Sequence, residues 1–262
     1  MSLGKAKWAG AALVATALVI GFAFRGDPVS APPTPQPVLK SVAAPTEAMA
    51  RMEVQAAKTA RERLARIPEP VVPQTVGGFA PEEIAKVSGV YREMLAVQGL
   101  YNQRLSRERL VARVLETSQG VDIAARTLTD PSFAREAFGE SQAEARFFSI
   151  DVLKAAARKG DAAPLERSTE AVAQQLSQSD DGTTPLDAGR SADLRDMVRA
   201  YIEVKGVEAF SDGNSRLVSA MGYSPTSSPR VKSLYDEVLF IRLRQQFGRE
   251  RAASMTAALL DR

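Results

Sequence analysis

Few residues in this chain have the type and spacing to do chemistry. Glu140 and Ser141 adjoin in the run Phe138-Gly139-Glu140-Ser141. A carboxylic acid held in an apolar setting can protonate a glycosidic oxygen. The same run also reads as the start of a helix, where a small polar side chain caps free amides. Asp180-Asp181-Gly182 and Asp187 gather three carboxylates in one loop. Their spacing lacks the alternating ligands of a calcium loop, so they read as turn residues. Asp212-Gly213-Asn214 reads as a turn before a helix. Towards the C-terminus, Arg230, Lys232, Arg242, Arg244, Arg249 and Arg251 outnumber Asp236, Glu237 and Glu250. A basic helix face can meet phosphates or acidic lipids. Here Leu234, Val238, Ile241 and Phe247 supply an inward face, which makes the arginines the solvated side of the same helix.

Composition removes other chemistries. The 262 residues include no His and no Cys. That excludes Ser-His-Asp triads, His-bearing zinc sites, thiol nucleophiles and disulfides. No phosphate-binding glycine loop or dinucleotide fingerprint is present. No catalytic residue, cofactor or metal site is therefore expected. The net charge is +3, but its position matters more than its size. Residues 1–78 hold nine Lys/Arg against five Asp/Glu, whereas residues 79–262 hold 25 against 26. The larger C-terminal part is close to neutral, which argues against nucleic acid as its partner.

These groups must be positioned by the rest of the chain, which divides into five parts. Residues 8–24, WAGAALVATALVIGFAF, carry no charge. As a helix they span roughly 25 Å, enough to cross a bilayer. Lys5 and Lys7 precede the run, which predicts a cytoplasmic N-terminus and an inner-membrane anchor over residues 1–27. A cleaved signal peptide is the alternative, with Val29-Ser30-Ala31 as its small-residue site and Pro32 immediately after it. Either reading places the remainder beyond the cytoplasmic membrane, in the periplasm of a bacterial envelope.

Residues 28–45 hold six prolines and predict an extended spacer. Residues 46–67 predict an amphipathic helix of about six turns. Met49, Met52, Ala56, Ala60, Leu64 and Ile67 fall on one face, and Arg51, Lys58, Arg61, Arg63 and Arg66 populate the rest. This stalk would pack on the domain, pair with another copy or bind a partner, with Met49, Met52, Leu64 and Ile67 as its contact residues. A second breaker-rich linker follows at 68–78.

From residue 79 the periodicity is helical, and no stretch shows the two-residue alternation of a strand. Pro81-Glu82-Glu83 opens a helix with Ile84, Val87, Tyr91, Met94, Leu95 and Gln98. Ser106 caps the next, with Leu110, Val111, Val114 and Leu115 inward and Gly120 at its exit. Asp130-Pro131 opens a short helix. Ser141 to Lys159 forms a long one with Phe147, Phe148, Ile150, Val152 and Leu153. Pro164 to Ser177 follows, then a loop over 178–190, and a helix opened by Ser191. Residues 214–222, 229–247 and 250–260 complete about nine helices. The expected fold is all-α: an irregular bundle over 79–262, with two lobes joined at the 178–190 loop or stacked helix pairs as variants.

The function expected is a membrane-anchored, non-enzymatic scaffold or adaptor that binds another envelope protein. The layout of one N-terminal anchor, an Ala/Pro-rich spacer and a helical domain resembles that of lipase-specific foldases. That resemblance implies an anchored folding helper for a secreted protein, although the family's Phe-Asp-Tyr-like signature is absent. The Glu140-Ser141 pair is similar to part of the lytic transglycosylase signature, which would imply a peptidoglycan-acting enzyme. The downstream Gly/Gln and Tyr/Asn segments of that signature are not visible.

Overall fold

In the computed structural model, the described residues are 75–97 and 100–260, together with 55, 58–59 and 61–63. The anchor, the Pro-rich spacer and the contact residues Met49, Met52, Leu64 and Ile67 lie outside them. Among the described residues all regular structure is helical, apart from one isolated bridge between Val76 and Phe79. No described helix is long and apolar enough to cross a membrane.

Ten α-helices with complete bounds follow the bridge. They are α1 Pro81–Ala96, α2 Leu100–Glu116, α3 Gly120–Thr129, α4 Pro131–Phe138 and α5 Gln142–Arg158. The rest are α6 Ala163–Ser179, α7 Ala188–Lys205, α8 Ser215–Ala220, α9 Pro229–Phe247 and α10 Arg249–Leu259. Local chemistry sets most of the starts. Pro81 occupies the first turn of α1, where its missing N–H costs nothing. Asp130 accepts from the amides of Ser132 (3.0 Å) and Phe133 (3.1 Å), capping α4. Ser228 caps α9 through the Val231 amide, and Asn214 caps α8 through Arg216.

Several expected boundaries move. Ser106 caps nothing: α2 starts at Leu100 and runs through it. Gly120 is the first residue of α3 and not only an exit, because a β-carbon there would sit 2.0 Å from the Val114 carbonyl oxygen. That turn admits only glycine. Residues 121–129, unassigned from sequence, complete α3, whose Ile123, Ala124, Thr127 and Leu128 are buried at helical spacing. Its buried Thr127 returns its hydroxyl to the Ile123 carbonyl, which removes the polar cost. Ser191 does not open α7; Asp187 caps it by accepting from the Arg190 amide at 2.8 Å. Ser141 makes no side-chain capping bond, because a 3₁₀ turn over Gly139–Ser141 feeds directly into α5. Ile241 is exposed, and Leu239 and Leu243 take the inward positions of α9 instead.

One continuous apolar core runs through these helices. Helix α5 lies at its centre, packed on α3, α7, α2, α6 and α1. Helix α7 contacts α5 and α6, both of which precede the 180–187 loop, and α9 joins α6 and α7. The loop therefore does not separate two lobes.

Charged ties link the outer surfaces of the central helices. Glu203 on α7 receives Lys154 from α5 (3.1 Å) and Arg242 from α9. Asp180 receives Arg230, and Asp181 collects the Thr183 and Thr184 amides and hydroxyls. The carboxylates at 180 and 181 thus brace the loop and the start of α9. Arg230 and Arg242, expected on a solvated basic face, are consumed in these ties.

Candidate functional site

A groove of about 620 Å³ lies between α1, α4, the 3₁₀ turn and α5. Its construction begins where the described domain starts. Val76 and Phe79 pair across a turn in which Gly77 and Gly78 adopt φ of 59° and 83°. Only glycine takes such angles cheaply. The turn sets Phe79 against Phe133 of α4, with ring centroids 5.5 Å apart.

From there a chain of rings crosses the molecule. Phe133 meets Phe138 edge-on at 6.4 Å, Phe138 stacks on Tyr91 at 5.5 Å, and Tyr91 meets Phe148 at 5.7 Å. Tyr91, Phe138 and Phe148 form the groove floor. All three are buried, so the floor is part of the core, and its shape is fixed by core packing. The Tyr91 hydroxyl pairs with Ser149 Oγ at 3.0 Å, and burial raises its pKa above the ordinary phenol value. Tyr91 is a fixed structural group.

The rim is charged. Arg92 of α1 and Arg135 of α4 share it with Glu136, Glu140 and Glu144. Glu140 and Ser141, singled out from sequence, thus line the groove, with Glu140 exposed and Ser141 half-buried. Glu136 and Glu144 are also exposed. The groove can offer an apolar floor, exposed carboxylates and guanidinium groups, a combination that suits a polypeptide segment.

A shallower groove of about 320 Å³ runs between α2 and α5, floored by Val111, Ala112, Leu115 and Ala155. At its edge Arg107 pairs with Asp151 and lies 4.5 Å from the centroid of the Phe147 ring. Phe147, expected in the core, is 48% exposed there.

Buried charge sits elsewhere. Asp193 on α7 is 8% exposed and receives Arg146 Nε at 2.7 Å. Burial raises its pKa despite Arg146. Arg190 donates to the Leu128 carbonyl and to Gln175, and Gln175 donates to the Thr129 carbonyl at 2.8 Å. This network satisfies the free carbonyls at the end of α3. It faces none of the grooves described here, so it is a clamp and not an acid poised for catalysis. Among the described residues, no cluster of three or more Asp and Glu is placed to hold a metal ion.

The residues that give the groove its form, Tyr91, Phe138 and Phe148, carry no motif. Only α1 and α5 periodicity marks Tyr91 and Phe148 as inward, and nothing in the sequence aligns them with Phe138. Comparison with known proteins gives no match to a protein family, a curated sequence or a solved structure.

Proposed function

We propose that the protein is a membrane-anchored, non-enzymatic helical scaffold of the bacterial envelope, and that the groove between α1, α4 and α5 binds a segment of another envelope protein. The observation carrying this reading is the pairing of a rigid aromatic floor with a rim of exposed charges. Rim charges of this kind select and orient a partner more than they add affinity. A glycan-cleaving acid needs an apolar setting that keeps it protonated near neutral pH. The exposure of Glu140 favours recognition over that role. The single continuous core favours a scaffold over a folding helper that opens around its client.

The test is a crosslinking pull-down of the full-length protein from membranes, repeated with Glu136→Lys/Glu140→Lys. One envelope protein should co-purify with the native chain and be lost from the variant. A co-purification profile identical for both would overturn the groove as the binding site. A C-terminal alkaline phosphatase fusion checks topology in the same strain: it should be active, and an inactive, stably produced fusion would overturn the envelope placement.

A further inference from the structure

We propose that the outer face of α9 docks a second copy of this chain, the two copies meeting about a two-fold axis that passes between Phe240 and Ile241. The proposal uses no residue of the groove between α1, α4 and α5 and stands apart from that reading.

It starts from the strip of α9 that the domain itself leaves uncovered. Val231, Leu234, Tyr235, Val238, Leu239 and Leu243 turn inward and are buried. Glu237, Ile241 and Arg244 are exposed, and Phe240 is half-buried. Their three- and four-residue spacing puts these last four on one strip, about 10 Å long. Ile241 is 39% exposed at its centre. The ends of the strip carry opposite charges. Arg195 Nε donates to Glu237 Oε2 at 3.0 Å, which orients that carboxylate. The Arg244 guanidinium lies 5.8 Å from the centroid of the Phe240 ring, with no ion-pair partner among the described residues.

The series Glu237, Phe240, Ile241, Arg244 is complementary to its own reverse. Glu237 and Arg244 are equally distant from the axis, so a half-turn lays Glu237 on the partner's Arg244 and Phe240 on the partner's Ile241. Each contact then occurs twice, as an isologous interface requires. A parallel copy would oppose like charges instead. Ser233 and Gly248 are also equally distant from the axis, and both are small and exposed, so nothing bulky holds the two helices apart at the ends. Beside Phe240 a notch of about 280 Å³ opens towards Ala253 and Ala257 of α10. The partner's Ile241 is set to fill it. An unrelated protein would need this acid–apolar–base series by coincidence, whereas a second copy supplies it by symmetry.

The test is a charge exchange. Glu237→Arg and Arg244→Glu are made separately in the full-length protein, and association is followed by sedimentation equilibrium. The native chain should self-associate, and less so as salt is raised. Each variant alone opposes like charges at both contacts and should self-associate at least about tenfold more weakly. Mixed in equal amounts, the two variants regain both opposite-charge contacts, so a mixed dimer should form at close to native strength. Both positions are exposed, and circular dichroism checks that both variants keep the native helix content. A native chain that stays monomeric would overturn the proposal and leave the strip to a different partner. Single variants that associate like the native chain, or a mixture no stronger than its components, would overturn it as well.

Discussion

Replacing Arg146 by Met isolates the contribution of the buried ion pair between α5 and α7. Arg146 and Asp193 side chains are 16% and 11% exposed, and their contact is 2.7 Å. Removing one partner of a fully buried pair costs about 3–5 kcal/mol, because the other charge is stranded. Residual exposure and the nearby Arg190 lower the expected cost here to about 2–3 kcal/mol. For a domain of this size that is a fall in Tm of about 7 °C. The sign of the pH dependence gives a sharper check. Burial already raises the Asp193 pKa in the folded state. A carboxyl raised on folding binds its proton more tightly when folded, so its cost is fully present above the folded pKa and disappears below the unfolded one. Without Arg146 the pKa rises further. The loss should therefore be large at pH 7 and shrink as the pH falls towards 4. Thermal unfolding of the purified protein, followed by circular dichroism, reads both effects. Arg146→Met/Asp193→Leu should recover most of the stability at pH 7. A loss independent of pH, or a double variant no better than the single one, would refute the electrostatic account.

Two further predictions follow from single positions. Gly222 has φ of 81° and a β-carbon there would lie 2.4 Å from the Glu170 α-carbon, whereas Gly248 has the same φ and open space. Gly248→Ala should cost about 1 kcal/mol and Gly222→Ala more than about 3 kcal/mol, read from chemical unfolding; equal losses would show that the close approach is absent. The Arg230 guanidinium holds the Asp180 carboxyl down to about 2. A depressed carboxyl contributes stability above its unfolded pKa and loses it as the pH falls through the folded one. Arg230→Met should therefore expose the 180–187 loop to proteolysis at pH 7, and a cleavage rate equal to that of the native protein would remove the brace.

The all-helical class was legible because periodicity and breakers agreed from residue 79 onward. Pro81, Asp130, Gly139 and Pro229 mark boundaries through local chemistry that needs no tertiary contact. Helix α3 was missed because Gly120 reads as a helix exit, although Ile123, Ala124 and Leu128 carry helical spacing. Gly120 looks like a terminator, but it is required by the approach of the Val114 carbonyl. Ser106, Ser141 and Ser191 look like caps, but each lies inside or beside a helix set by stronger neighbours. Capping propensity says that a residue can cap, not that the chain needs it there. The groove was half legible. Glu140 and Ser141 drew attention for chemistry, and they line the groove. The aromatic floor was invisible because Phe79, Phe133, Phe138, Tyr91 and Phe148 come from four separate segments and meet only through packing.

The central claim is that a partner segment occupies the groove between α1, α4 and α5. A photo-crosslinking amino acid at Leu95 or Ser141, both of which line the groove, tests it most directly, with the exposed Ser254 of α10 as control. Irradiation of intact cells should give a discrete adduct of one envelope protein from both groove positions and none from Ser254. Adducts absent from the groove, or equally frequent at Ser254, would contradict the account.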